Sequence, residues 1–200
     1  MGSASAEDSG EVQCFTLKDL DPNSKSPPSR KKPREGRGTR RNLKMATVMK
    51  DLFDSTLVEE TKQRILRLRA GGARQWGNMN VAQMLTHCTS GMQMAMGTIN
   101  PKRAPFPANI IGSLIKPLVL GNDKPMRRNS PTVPELISAD TQCDFESERG
   151  RLIKTIDRFA SEGAACCSQH PHPFFGPLKP HQWAILMYKH LDHHLRQFGA

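Results

Sequence analysis

The sequence predicts an all-α fold: a four-helix bundle with a long crossover loop between its second and third helices, preceded by a disordered tail. Three observations predict it. Apolar residues recur every three or four positions in four separate stretches, the spacing of one helix face. No run of residues alternates apolar and polar as a half-buried strand would. A Pro-rich, turn-rich segment over 98–140 separates the second stretch from the third, which is the connection a crossover needs.

The first 44 residues differ from the rest. From Lys25 to Lys44 there are nine Lys and Arg against one Glu, in a chain of 200 residues with net charge +10. A segment so charged and so rich in Pro, Gly and Ser cannot bury a core, so 1–44 reads as a disordered basic tail. It is either a tether for polyanions, binding nucleic acid non-specifically, or a solvated tail or start-site extension ahead of Met45. Residues 45–200 then form the single domain, and a chain that is 36% apolar over its 200 residues can supply one core.

The first helix is expected over about 47–68, with Leu52, Phe53, Leu57, Ile65 and Leu68 inward and the glycines of 70–73 ending it. Asn78 or Asn80 caps the second. That helix runs to about Met96 on a stripe of Val81, Met84, Leu85, Cys88, Met92 and Ala95. The crossover should hold one short helix around Ile110–Lys116. Arg127 and Arg128, in the same connection, are either a grip for an anionic substrate or a solvated turn. The third bundle helix fits Asp144–Ser161, with Phe145, Leu152, Ile153, Ile156 and Phe159 inward. The fourth starts near Pro180, in the first turn where Pro is tolerated.

No stretch is long enough to span a bilayer; the best, Asn109–Gly121, is short and broken by Pro117. The N-terminus has no apolar signal region and carries Glu7, Asp8 and Glu11. Five cysteines without framework spacing read as reduced thiols. The expectation is a soluble cytoplasmic protein with no membrane partner.

The chemistry concentrates in the last helix. At about 100° per residue, with Trp183 as reference, Met187, Leu191 and Phe198 fall at roughly 40°, 80° and 60°. His190 and His194 fall at roughly −20° and +20°, in the same inward sector, while Lys189, Asp192 and Arg196 fall opposite. Two inward imidazoles one turn apart need partners, and a divalent ion suits them. On the second helix, His87 flanks the apolar face, with Gly91 one turn on leaving room beside it. His87, His190 and His194 are therefore the candidate metal ligands, for zinc, nickel or a similar ion.

His193, near −80°, stands at the rim and takes the catalytic role, as proton donor or hydrogen-bond partner. Gln197, near −40°, is placed to orient His190 or His194. Tyr188, near 140°, faces away. His170, His172 and His181 lie in or after a loop and read as solvated. Cys88 beside His87 is not a nucleophile pair, because adjacent helical side chains diverge; it reads as a small core residue.

These residues carry a family likeness. The sequence resembles the DinB-like (YfiT-like) superfamily of metal-binding four-helix bundles over about residues 45–200, and within it a branch of bacterial domains of unknown function. The superfamily's metal site has a His midway along helix two and an H-x3-H pair on the last helix followed by a Gln. Here those positions are His87, His190, His194 and Gln197. The branch is suggested by MKDLFD at 49–54, QWGNMNVAQMLTHC at 75–88, DKPMRRNSPTVPEL at 123–136 and HPFFGPLKPHQWAILMYKHLDHHLRQFG at 172–199.

The resemblance implies a divalent metal on the three histidines. It also implies thiol-dependent chemistry: a low-molecular-weight thiol as co-substrate, transferred to a small-molecule substrate or used in isomerisation. Two function classes follow. One is a metal-dependent S-transferase or isomerase. The other is a non-catalytic bundle with a structural metal, acting as a binding or dimerisation module, for which a homodimer is the natural partner.

Overall fold

A computed structural model describes residues 49–130, 132, 134–136 and 143–200. The expectation for 1–44 falls outside them. Five helices, and no strand among the described residues, make the structure all-helical: α1 (Ser55–Leu66), α2 (Val81–Ala95), α3 (Ala108–Leu120), α4 (Phe145–Glu162) and α5 (Pro180–Gln197), with 3-10 turns at Pro134–Leu136 and Gly163–Cys166.

Local chemistry sets the helix ends. The Asp54 carboxylate accepts from the Thr56 and Leu57 amides, so α1 starts later than the expected position near 47. Residues 51–54 instead form a turn in which Leu52 is fully buried. Asn80, not Asn78, caps α2: it accepts from the Gln83 amide while the Gln83 side chain accepts from the Asn80 amide. Asp144 caps α4 through the Ser147 amide, and α4 stops at Gly163, whose φ of +58° suits glycine. In α5, Pro180 opens the first turn.

The core runs between α1, α2, α4 and α5. Both α2 and α1 pack on α4 and on α5. Leu52, Ile65, Met84, Leu85, Met92, Leu152, Ile156, Phe159, Trp183 and Leu191 fill the space between them with almost no exposed surface. Phe53 stacks on Phe159 at 5.5 Å, and the Trp183 indole donates to the Ser168 carbonyl.

Two expectations for the crossover and α5 need correction. The short helix expected around 110–116 is a 13-residue helix, and Pro117 does not end it. Lys189, expected on the wet face of α5, is buried. Its ammonium donates to the Val119 and Asn122 carbonyls at 2.7 Å, because α3 and the turn after it lie over that face. A lysine can be buried so because its amine reaches backbone oxygens at a helix C-terminus.

Candidate metal centre

The helices α2 and α5 meet where His87 faces His190 and His194. The three ring centroids lie 4.9, 4.8 and 4.7 Å apart. One ligand atom from each ring lies within 4.8 Å of the others. His87 and His194 are buried; His190 keeps some exposed surface, although its Nδ1 is buried.

Hydrogen bonds fix which nitrogens face the centre. His87 Nδ1 donates to the Leu136 carbonyl at 2.9 Å, since a carbonyl only accepts. The Nδ1 proton leaves the His87 Nε2 lone pair bare. At His194 the logic takes one more step. The Gln197 amide nitrogen donates to the Trp76 carbonyl at 2.6 Å, which turns its Oε1 toward His194. His194 Nδ1 must then be the donor to that oxygen, at 2.9 Å, and its Nε2 is bare too. His190 Nε2 lies 3.0 Å from His87 Nε2, and its own Nδ1 has no partner among the described residues.

Glycines make the room. A Cβ on Gly91 would stand 2.9 Å from His190 Cε1, so His190 occupies the space that α2 leaves open there. A Cβ on Gly77 would stand 2.5 Å from the Gln197 amide nitrogen, and Gly77 has a φ of +75° besides. Both substitutions would push a site side chain out of place.

Burial keeps the rings neutral. Desolvation is the largest cause at each: it lowers the pKa of His87 against the opposing Leu136 hydrogen bond, and that of His190 well below the usual range, helped by His194 and His87. His194 is pushed down to about 3, with His87 adding to the burial effect. Neutral imidazoles offer lone pairs at physiological pH.

The donor set fits a divalent ion. Three neutral imidazoles whose ligand atoms lie this close could hold a metal ion. Bonds of about 2.0–2.1 Å in tetrahedral geometry place nitrogens roughly 3.3 Å apart, close to the His87–His190 pair. Three ligands also leave a fourth position, as in exchangeable sites.

His193 lies apart from this centre. Its ring meets His194 edge-on at 5.0 Å and Trp76 at 5.6 Å, and it lines a cavity of about 360 Å³ with Trp76, Met126, Arg128 and Arg196. Burial lowers its pKa against an opposing bond to the Met126 backbone. Arg128 lays its guanidinium 4.1 Å over the Trp76 ring. Arg196 is engaged by Asp192, which also holds Arg64.

Residues 46–200 match the model of a family described as a protein of unknown function, DUF1569. The chain belongs to that family. No curated protein matches the chain, and no solved structure does. The family description assigns no activity to the DUF1569 domain.

Other expectations fare variously. Tyr188 is buried under Lys50, away from the triad. Cys88 is a core thiol whose pKa burial pushes far up, which removes it as a nucleophile. His170 and His181 are exposed, as expected. His172 is not: its Nδ1 accepts from the Phe174 and Phe175 amides, its ring stacks on Phe175 at 4.7 Å, and burial pushes its pKa down to about 4. The H-P-F-F-G run folds into a tight turn around its own histidine, which explains the departure from a solvated loop. The Leu136 carbonyl and the Trp76 carbonyl were absent from the sequence reading, because a main-chain oxygen has no residue signature.

Proposed function

We propose that this domain is a DinB-like four-helix bundle that binds a divalent ion, zinc or nickel, through Nε2 of His87, His190 and His194. The observation that carries the reading is the pair of fixed tautomers: the Leu136 carbonyl and Gln197 leave two bare Nε2 atoms facing a third imidazole. Unprotonated imidazole nitrogens converging on one point form a donor set that a cation would join. The arrangement of α1, α2, α4 and α5, with α3 and a long connection joining α2 to α4, supports the bundle reading.

The activity that fits is transfer of a low-molecular-weight thiol to a small electrophile, or isomerisation with that thiol. When bound, the ion supplies a Lewis acid that keeps a thiol ionised at neutral pH. His193, at the edge of the cavity and neutral, is positioned to give or take the proton that the electrophile exchanges. Arg128, stacked on Trp76 at the same cavity, would hold an anionic part of the small-molecule substrate. Reduced cysteines and this thiol chemistry suit a cytoplasmic setting.

A second reading, a structural metal in a non-catalytic binding or dimerisation module, is favoured by the burial of His87 and His194. Elemental analysis of untagged protein tests the shared claim. It should find about one metal per chain, and none in His190→Ala. A metal-free wild type, purified without chelator, overturns both readings. Cobalt-substituted protein separates them: a thiol that changes the visible spectrum supports the enzyme, and no change supports the module.

A further inference from the structure

The helix α3 presents an apolar face that nothing among the described residues covers. Phe106 is 78% exposed just before it, Leu114 is 73% and Leu118 69%, and Ile110, Ile111 and Ile115 are exposed beside them. Counted at about 100° per residue from Ile110, residues 114, 118, 111 and 115 fall at roughly 40°, 80°, 100° and 140°. They form one continuous arc. The opposite arc faces the domain. There Gly112 sits so close to the Phe174 carbonyl that a Cβ would collide with its oxygen, and Lys116 donates to the Pro177 carbonyl. Lys189 reaches up from α5 to the carbonyls at the helix's far end. The helix is thus fastened by its polar side and by close backbone packing, with its apolar side turned outward.

Basic residues flank the helix in sequence. Lys102 and Arg103 precede the helix and Lys124 and Arg127 follow it, all exposed, against the single carboxylate of Asp123 within that stretch. No helix among the described residues is long and apolar enough to cross a membrane. An outward apolar arc on a helix flanked at both ends by exposed lysine and arginine is instead the pattern of a helix lying in the plane of a lipid surface.

We propose that α3 is a membrane-surface helix, inserting Phe106, Ile110, Leu114 and Leu118 among the acyl chains while the flanking basic residues meet anionic headgroups. Charge complementarity selects this occupant over a second copy of the chain. The six side chains leave roughly 600 Å² of apolar surface outward, at the upper end for a monomer. Two such patches in perfect register would only just reach the ~1,200 Å² of a stable interface. Pairing them would also bring the basic flanks of both copies together, whereas an anionic surface neutralises those flanks and accepts the whole arc at once.

Vesicle sedimentation with the full chain tests this. In near-physiological salt, wild type should pellet with vesicles containing about one-third phosphatidylglycerol and stay in solution with pure phosphatidylcholine. Leu114→Asp and Leu118→Asp, at exposed positions, should each keep the wild-type circular dichroism spectrum yet reduce partitioning at least about tenfold. Three outcomes overturn the proposal. Wild type fails to pellet with anionic vesicles. The Asp variants bind as wild type does, which assigns the binding to the basic segment 25–44. Or sedimentation equilibrium without lipid finds a dimer that Leu114→Asp dissociates, which makes a second copy the occupant.

Discussion

Replacing Gln197 tests the tautomer relay, since this side chain links the Trp76 carbonyl to His194. Gln197→Leu keeps an apolar group of similar reach but deletes both hydrogen bonds. Without an acceptor at Nδ1, the His194 proton is free to move to Nε2, which blocks the ligand atom. Losing such an outer partner typically costs 10–100-fold in metal affinity, or about 1.4–2.7 kcal/mol. The metal-free protein suffers separately. Gln197 is 2% exposed, so the His194 N–H is left buried without an acceptor and the Trp76 carbonyl loses its donor. Together these cost roughly 2–4 kcal/mol, a fall in Tm on the order of 5–15 °C for a domain of this size. Gln197→Glu separates the two effects. Its carboxylate still accepts from His194, so metal affinity should hold, but it offers nothing to the Trp76 carbonyl, so the metal-free Tm should still fall. Chelator competition gives the affinities and calorimetry the Tm values. Wild-type affinity in Gln197→Leu, or equal affinity losses in the Leu and Glu variants, would refute the relay.

Gly91→Ala should lower metal affinity by forcing His190 aside, because the new Cβ would stand 2.9 Å from the ring. Its metal-free Tm should change little, since helix propensity returns about 1 kcal/mol against the clash; an unchanged affinity would show that the ring yields freely. The metal-free protein should lose stability in acid. The folded pKa values of His194 and His172 are depressed to about 3 and about 4, and those of His87 and His190 are also lowered, so the unfolded chain binds more protons below its value of 6.5. Stability is therefore retained above pH 6.5 and declines below it, by on the order of 1.4 kcal/mol per pH unit each for His194 and His172 until their folded rings protonate near 3 and 4, with His87 and His190 acting in the same direction. Urea midpoints that stay level from about pH 7.5 down to about pH 5 would contradict this. Added metal at about 100 times its Kd should raise the stability by about 2.7 kcal/mol, or roughly 5–11 °C in Tm, and a chelator should reverse the gain; a Tm indifferent to metal would remove the site.

The inward triad was legible because helical periodicity is a local property. His190 and His194 share a sector of α5 by arithmetic, and Gly91 announced a gap on α2 that His190 fills. Gln197 was legible as an orienting residue, though not which ring it held. The same arithmetic failed for Lys189. It described a lone helix with one wet face, and could not know that α3 would lie across that face. Leu136 and Trp76 stayed hidden for a related reason. Both act through main-chain carbonyls brought in by distant turns, and only the folded chain says where those oxygens point. Pro117 misled in the opposite direction. Proline costs a helix one hydrogen bond and some steric room, yet α3 continues, held by its contacts with the Phe174 backbone and with Lys189.

The triad is built unequally, and the inequality says how it would work. His87 and His194 each have a fixed Nδ1 donor, one to a backbone carbonyl and one to a buried amide. His190 has no such partner, and Gly91 lies directly beneath its ring. In the metal-free fold, a neutral His190 is the one ring able to put its proton on Nε2 and donate to His87 at 3.0 Å. That bond satisfies the His87 lone pair. Taking up a cation requires the His190 proton to move to Nδ1, which has no acceptor among the described residues. Two rings are therefore prepared for the metal, and the third pays a desolvated N–H to join them. A purely structural ion would gain from three fixed tautomers. A ligand held by one compliant ring is better suited to an ion that must let its fourth position exchange, and this asymmetry inclines the choice between the two functional readings toward the enzyme.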